Sequence, residues 1–259
     1  MDFHLITALF DIDRESKGDG RKIEDYLQWF EKTLKIKGNI IVYTEDKFLD
    51  FVYTKSDPDT TKIIVQEKIE MPFYKYLDKI EWILNSDNYI KKIDRPDRIE
   101  CRLGLYNVIQ YSKFGWIEDS IKFGDDDDFY FWVDAGISRF FDGIDIEKWE
   151  INPDVLEKNK INIQGNCNTS YVFNNIPYDQ YKLKSDAALV GTFFGGTGKM
   201  MRIFRDKIEK ILNELLEEEI VNNEQIALAL LMKREPDLFN VKIHLDGTHL
   251  PILKIVNKK

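Results

Sequence analysis

The chain has 259 residues, 43% of them hydrophobic and 13% aromatic, which is enough for a sizeable core in one α/β domain. Its net charge of −9, with basic residues scattered among acidic ones, excludes a nucleic-acid-binding module built on a concentrated basic face. No stretch approaches the roughly 18 apolar residues of a membrane span, and Met1-Asp2-Phe3-His4 does not open a signal peptide. The two cysteines, Cys101 and Cys167, read as free residues of a reducing compartment, so a cytoplasmic location is expected.

Leu5 to Phe10 is a strand candidate ending at Asp11, followed by a charged loop, Asp13 to Arg21. Ile23, Leu27, Phe30 and Leu34 recur at helical spacing. Asn39–Thr44 and Lys62–Gln66 are further strands, with a short helix around Phe48, Leu49 and Val52 between them. Phe73 to Leu84 is a helix. This alternation predicts a mostly parallel sheet flanked by helices.

The spacing then predicts a long helix from Ile99 to Ile121. Its stripe of Ile99, Leu103, Tyr106, Ile117 and Ile121 is interrupted by Gln110 and Lys113. A buried ammonium needs a partner, so Lys113 either snorkels to water or meets an anion such as a diphosphate. The run Asp125–Asp128 reads as a solvated turn. Phe129–Val133 is a fully apolar strand that ends in Asp134-Ala135-Gly136. An acid at the tip of a buried strand stands where open α/β sheets bind ligands, and Ala135 and Gly136 leave room for close approach. The same residues also suit a plain strand-end turn.

The second half is irregular up to Ala187. A strand then runs into Gly195-Gly196, and a helix is expected from Lys199 to Ile220. Gly195 to Lys199 departs from the phosphate-loop pattern, since Phe193 replaces its first glycine and Met200 its Ser or Thr. The glycines allow a substrate near the backbone or simply a tight turn. Asn222 or Asn223 caps a helix beginning Glu224-Gln225, and Leu238 to Leu245 alternates as a strand with His244 on its polar face. Asp11-Ile12-Asp13 is similar to the Asp-x-Asp of haloacid-dehalogenase phosphatases, although Glu15 stands where those enzymes need Thr or Val.

Taken in order, several segments resemble the bacterial HtrL/YibB family. They are Thr7 to Arg14, Tyr26-Leu27 through Tyr43, Leu105-Tyr106-Asn107 with Lys113, Phe131 to Ile137, Gly191 to Gly196, and Asn223-Glu224-Gln225 to Phe239. That family is related to surface-glycan galactosyltransferases and similar to nucleotide-diphosphosugar transferases of the GT-A fold. The resemblance implies one GT-A-like Rossmann-type α/β domain. Residues 1–136 would form its nucleotide half and 137–259 its acceptor half. It implies transfer of a hexose from a UDP-sugar to a glycan or protein hydroxyl.

By this resemblance Thr7, Asp11 and Arg14 would border the base, and Lys113 would meet the diphosphate. Asp134, Ala135, Gly136, Gly195 and Gly196 would line the donor. Glu224 or Gln225 would act in catalysis, Glu224 as base if configuration inverts. Asp134 would hold manganese, sharing it with His244, because Gly136 replaces the second acid of the family's Asp-x-Asp. A non-catalytic sugar-nucleotide or glycan-binding module is the rival reading, and a phosphatase a weaker one.

Overall fold

The computed structural model describes residues 2–140, 145, 146, 149 and 151–243. The strands are β1 (Phe3–Leu9), β2 (Asn39–Thr44), β3 (Thr61–Val65), β4 (Phe129–Val133), β5 (Ile161–Gly165), β6 (Leu189–Thr197) and β7 (Phe239–Ile243). They form one mixed sheet in the order β3-β2-β1-β4-β6-β5-β7. The pairs β1–β2, β2–β3, β1–β4 and β5–β7 are parallel, and β6 runs antiparallel to both β4 and β5.

Helices cover both faces. In chain order they are α1 (Arg14–Lys17), α2 (Ile23–Thr33), α3 (Leu49–Lys55), α4 (Leu77–Leu84), α5 (Asp87–Lys92), α6 (Gly104–Ser120), α7 (Thr169–Asn175), α8 (Tyr178–Tyr181), α9 (Gly198–Glu217) and α10 (Glu224–Arg234). A sheet buried on both faces needs apolar residues at every position. That is why β4 reads as an unbroken Phe-Tyr-Phe-Trp-Val. Phe129, Phe131 and Val133 pack on one side with Leu5, Val42 and Phe30. Tyr130 and Trp132 pack on the other with Ile6, Tyr43 and residues of α6, α9 and α10. The result is a single α/β domain.

One expected element differs, and one strand had no counterpart in the sequence reading. The helix foreseen from Ile99 starts at Gly104, after a separate 3-10 turn over Ile99–Cys101. A Cβ on Gly104 would come within 2.6 Å of Glu81 Cγ, so the helix start needs glycine to press against α4. Asn107 Nδ2 donates to Glu100 O and Leu103 O and satisfies the carbonyls at the break. Strand β5 was not expected at all. Its Asn162 and Gln164 are buried, which hides the apolar pattern of a central strand. Asn162 accepts from the Glu157 amide and from Asn240 Nδ2, so its polarity is satisfied inside the sheet.

Candidate functional site

The chain leaves β1 toward β2 on one side and returns to β4 on the other, so the strand order reverses between β1 and β4. Loops leaving two neighbouring parallel strands in opposite directions open a crevice beyond their carboxyl ends. A cleft of about 310 Å³ lies there, within the range of small-molecule sites. Its walls include Phe10 to Ser16 after β1, Asp134 to Gly136 after β4, and Tyr106, Gln110 and Lys113 from α6.

The floor is rigid. Phe10 and Tyr43 stack on Trp116 at 5.4 and 5.8 Å between ring centroids, and Trp116 stacks on Trp132 at 5.9 Å. Such pairs add roughly 0.5–1.5 kcal/mol each beyond area burial. The Trp132 indole Nε1 donates to Asp134 Oδ1 at 2.6 Å, and the Asp134 amide donates to Thr192 O at 2.9 Å. Asp134 is thereby held from both its side chain and its backbone.

Lys113 lines the cleft but does not snorkel to water. Its side chain is 2% exposed, and its ammonium lies 3.0 Å from Asp134 Oδ1 and 2.8 Å from Glu224 Oε1. A third bond goes to Gly191 O at 3.1 Å. An ammonium has three N–H donors, and these three acceptors use them all. Burial works to lower the Lys113 pKa, and the two carboxylates outweigh it and raise it above the usual lysine value. Burial raises the Glu224 carboxyl against the opposing pull of Lys113. Glu224 Oε2 is buried without a partner.

Arg14 crosses the cleft mouth. Its guanidinium grips Asp19 with two bonds of 2.7 Å, donates to the Tyr26 hydroxyl at 2.5 Å and lies 4.9 Å from the Tyr106 ring centroid. Asp11 accepts from the Asp13 amide and from Lys47, both at 3.0 Å. Burial tends to raise its pKa, but those bonds hold it below the usual aspartate value. Both Asp11 oxygens are therefore occupied, which does not suit a phosphatase nucleophile. Asp13 turns the chain with φ of 56°, a left-handed conformation that Asp tolerates better than most residues.

Of the residues expected at a site, Asp11, Arg14, Lys113, Asp134, Ala135 and Gly136 meet on this cleft. Others lie elsewhere. Thr7 is buried on the opposite face of the sheet, since side chains alternate along β1, and it faces Thr33 and Leu34. Gly195 and Gly196 are inside β6, opposite Phe131 and Tyr130 toward the amino end of β4, away from the cleft. A Cβ on Gly195 would come within 2.3 Å of Tyr130 O, so this glycine serves strand packing rather than a ligand. Glu224 is 1% exposed behind Lys113 and does not line the cleft, and neither does Gln225. In this arrangement Glu224 cannot reach an acceptor hydroxyl and instead positions Lys113. His244 falls outside the described residues.

Sequence reasoning passed over Trp132, Tyr26, Arg21, Arg139 and Gly191 as site residues. Trp132, two residues before Asp134, and Arg139, five after it, had a positional signal, and Tyr26 and Gly191 stood in segments that carry the resemblance. A Cβ on Gly191 would meet Glu224 Oε1, so this glycine makes room for the buried carboxylate.

A family model described as bacterial protein of unknown function, HtrL_YibB, matches residues 1–255. The chain belongs to the HtrL/YibB family. Comparison with curated proteins finds no match. The cleft walls thus come from segments within the HtrL/YibB match.

Among the described residues of this HtrL/YibB chain, the cleft's donor set does not fit manganese. Among the described residues no group of three His, Cys, Asp or Glu converges on one point. Each cleft carboxylate already has an ammonium neighbour: Lys47 at 3.0 Å for Asp11, Lys17 at 2.9 Å for Asp13, Lys22 at 3.8 Å for Glu15 and Lys113 for Asp134. Gly136 offers no carboxylate, and a Cβ there would sit 3.3 Å from Trp29 and 3.6 Å from Tyr26.

Proposed function

We propose that the chain is a glycosyltransferase that moves a hexose, galactose or glucose, from a UDP-sugar to a hydroxyl of a glycan or protein. The observation that carries this reading is the cleft at the β1/β4 reversal, with Asp134 held at its base through Oδ1 and Oδ2 bonded to none of the described residues. A fixed carboxylate oxygen at such a point suits ribose or sugar hydroxyls, which donate hydrogen bonds. Tyr26, Tyr106 and Phe10 offer aromatic surface for a base or sugar ring. In the transfer the bond from sugar C1 to the diphosphate oxygen breaks and its electron pair leaves with the diphosphate. The acceptor oxygen bonds to C1, and its proton passes to the departing diphosphate.

Lys113 acts here by position. Its charge holds Asp134 in one orientation, and Glu224 holds Lys113. No helix among the described residues is long and apolar enough to cross a membrane. A cytoplasmic site of action is part of the proposal, and the free Cys101 and Cys167 suit its reducing conditions. The rival reading, a non-catalytic sugar-nucleotide or glycan-binding module, draws on Gly136 in place of an acid. The test is release of UDP from UDP-galactose and UDP-glucose, with and without added glycan. Turnover that Asp134→Asn abolishes supports the transferase. Tight UDP-sugar binding with no hydrolysis and no transfer supports the binding module.

A further inference from the structure

The acids and bases of the cleft do not cancel evenly. Asp11, Asp13, Glu15 and Asp134 each lie beside a lysine. The guanidinium groups are left over. Arg14 and Arg21 share the single carboxylate of Asp19, at 2.7 and 3.4 Å. Arg139 lines the cleft within five residues of Asp134 and has no carboxylate within ion-pair distance among the described residues. It lies over two rings instead, 5.4 Å from the Trp29 centroid and 4.6 Å from that of Phe140. Aromatic faces hold a guanidinium in place without using its N–H donors. The guanidinium groups therefore leave about two positive charges on the walls, one at the Arg14–Arg21 pair and one at Arg139, against one negative charge behind them where Lys113 serves both Asp134 and Glu224. The diphosphate of a nucleotide sugar carries two negative charges at neutral pH. Lys113, the obvious alternative, has no donor to spare.

We infer that this cleft binds the diphosphate of its nucleotide-sugar donor without a metal ion, through the forked N–H donors of Arg139 assisted by Arg21. This rests on the nucleotide-sugar reading above. A planar guanidinium matches two phosphate oxygens at once. It also faces the charge that builds up when the C1–O bond breaks and the electron pair passes to the departing diphosphate. Arg139 is exposed and, among the described residues, lies over the rings of Trp29 and Phe140, so its replacement leaves the core untouched.

The test measures UDP, GDP, CDP and uridine binding by calorimetry, in EDTA and in manganese chloride. It compares the native chain with Arg139→Met, Arg139→Lys and Arg202→Met, the last a charge loss on α9 away from the cleft. The expected result is UDP binding of equal strength in EDTA and in manganese. Arg139→Met should weaken it roughly tenfold to hundredfold, the range of a hydrogen bond to a charged group, with uridine unaffected. Arg139→Lys should fall between, and Arg202→Met should change nothing. UDP binding that requires manganese overturns the metal-free inference and leaves the donor reading standing. Metal-free binding that Arg139→Met does not weaken overturns the assignment of the diphosphate to Arg139 and likewise leaves the donor reading standing. Failure of all three diphosphates to bind in either condition overturns the donor reading itself, and the inference with it.

Discussion

Replacing Lys113 by Met should be costly to stability, and the cost should depend on pH. The side chain fills buried space that Met also fills, so the change is chiefly one of charge. It leaves Glu224, 1% exposed, without its cation, and Gly191 O without its donor. Breaking a buried pair in this way costs about 3–5 kcal/mol. Glu224 can limit the loss by taking up a proton. Lifting a carboxyl from its usual 4.5 to pH 7 costs about 3.4 kcal/mol, and to pH 5 only about 0.7 kcal/mol.

The sign follows from proton counting. In the variant the folded state holds a proton on Glu224 that the unfolded state releases above 4.5. That stability is fully present below 4.5 and is lost as pH rises toward the raised folded value, at about 1.4 kcal/mol per pH unit. Urea denaturation of the native chain and the variant from pH 5 to pH 8 measures this directly. The double variant Lys113→Met with Glu224→Met should recover most of the loss, because an apolar replacement leaves no buried charge behind. A single variant within about 1 kcal/mol of the native chain at pH 8, with no pH trend, would refute the buried pair.

Asp134→Asn should lower sugar transfer about a hundredfold or more, while Asn still accepts the Trp132 indole and the melting temperature moves little; UDP release and thermal melts measure the two effects. Gly195→Ala should cost about 1–3 kcal/mol by overpacking against Tyr130 and Phe131, with KM for the donor unchanged in the fraction that folds. UDP should raise the melting temperature more than GDP or CDP, since ligand bound to the folded state stabilises it. If none of the three shifts the midpoint at millimolar concentration, the cleft is not a nucleotide-diphosphate site.

The sheet was legible because its signals are local. Phe129–Val133, Asn39–Thr44 and Leu5–Phe10 carry the apolar runs that a sheet buried on both faces requires, and any reading of periodicity finds them. Asp134 stood out for the same reason, an acid at the end of such a run. The amphipathic helix after Gly198 was equally plain, because nine buried residues repeat along one face. Strand β5 escaped because two of its five positions are polar: Asn162 is satisfied by Asn240, distant in the chain, and Gln164 is buried with its Oε1 bonded to none of the described residues.

The amino-acid order alone determined the α/β class and the family, and it singled out Asp134 at the tip of β4. It also marked Lys113 as an ammonium that had to find a partner. The partner itself was decided by tertiary structure, because α6, β4, β6 and α10 converge on one point only when the sheet is assembled. There Lys113 meets Asp134, Gly191 and Glu224, separated by up to 111 residues along the chain. The same assembly turned Thr7 to the far face and drew Gly195 and Gly196 into a ladder. It left Arg139 as the cleft cation over aromatic rings, with no carboxylate beside it among the described residues. Periodicity tells which side of an element a residue faces; which charges cancel depends on distances that only the folded chain sets.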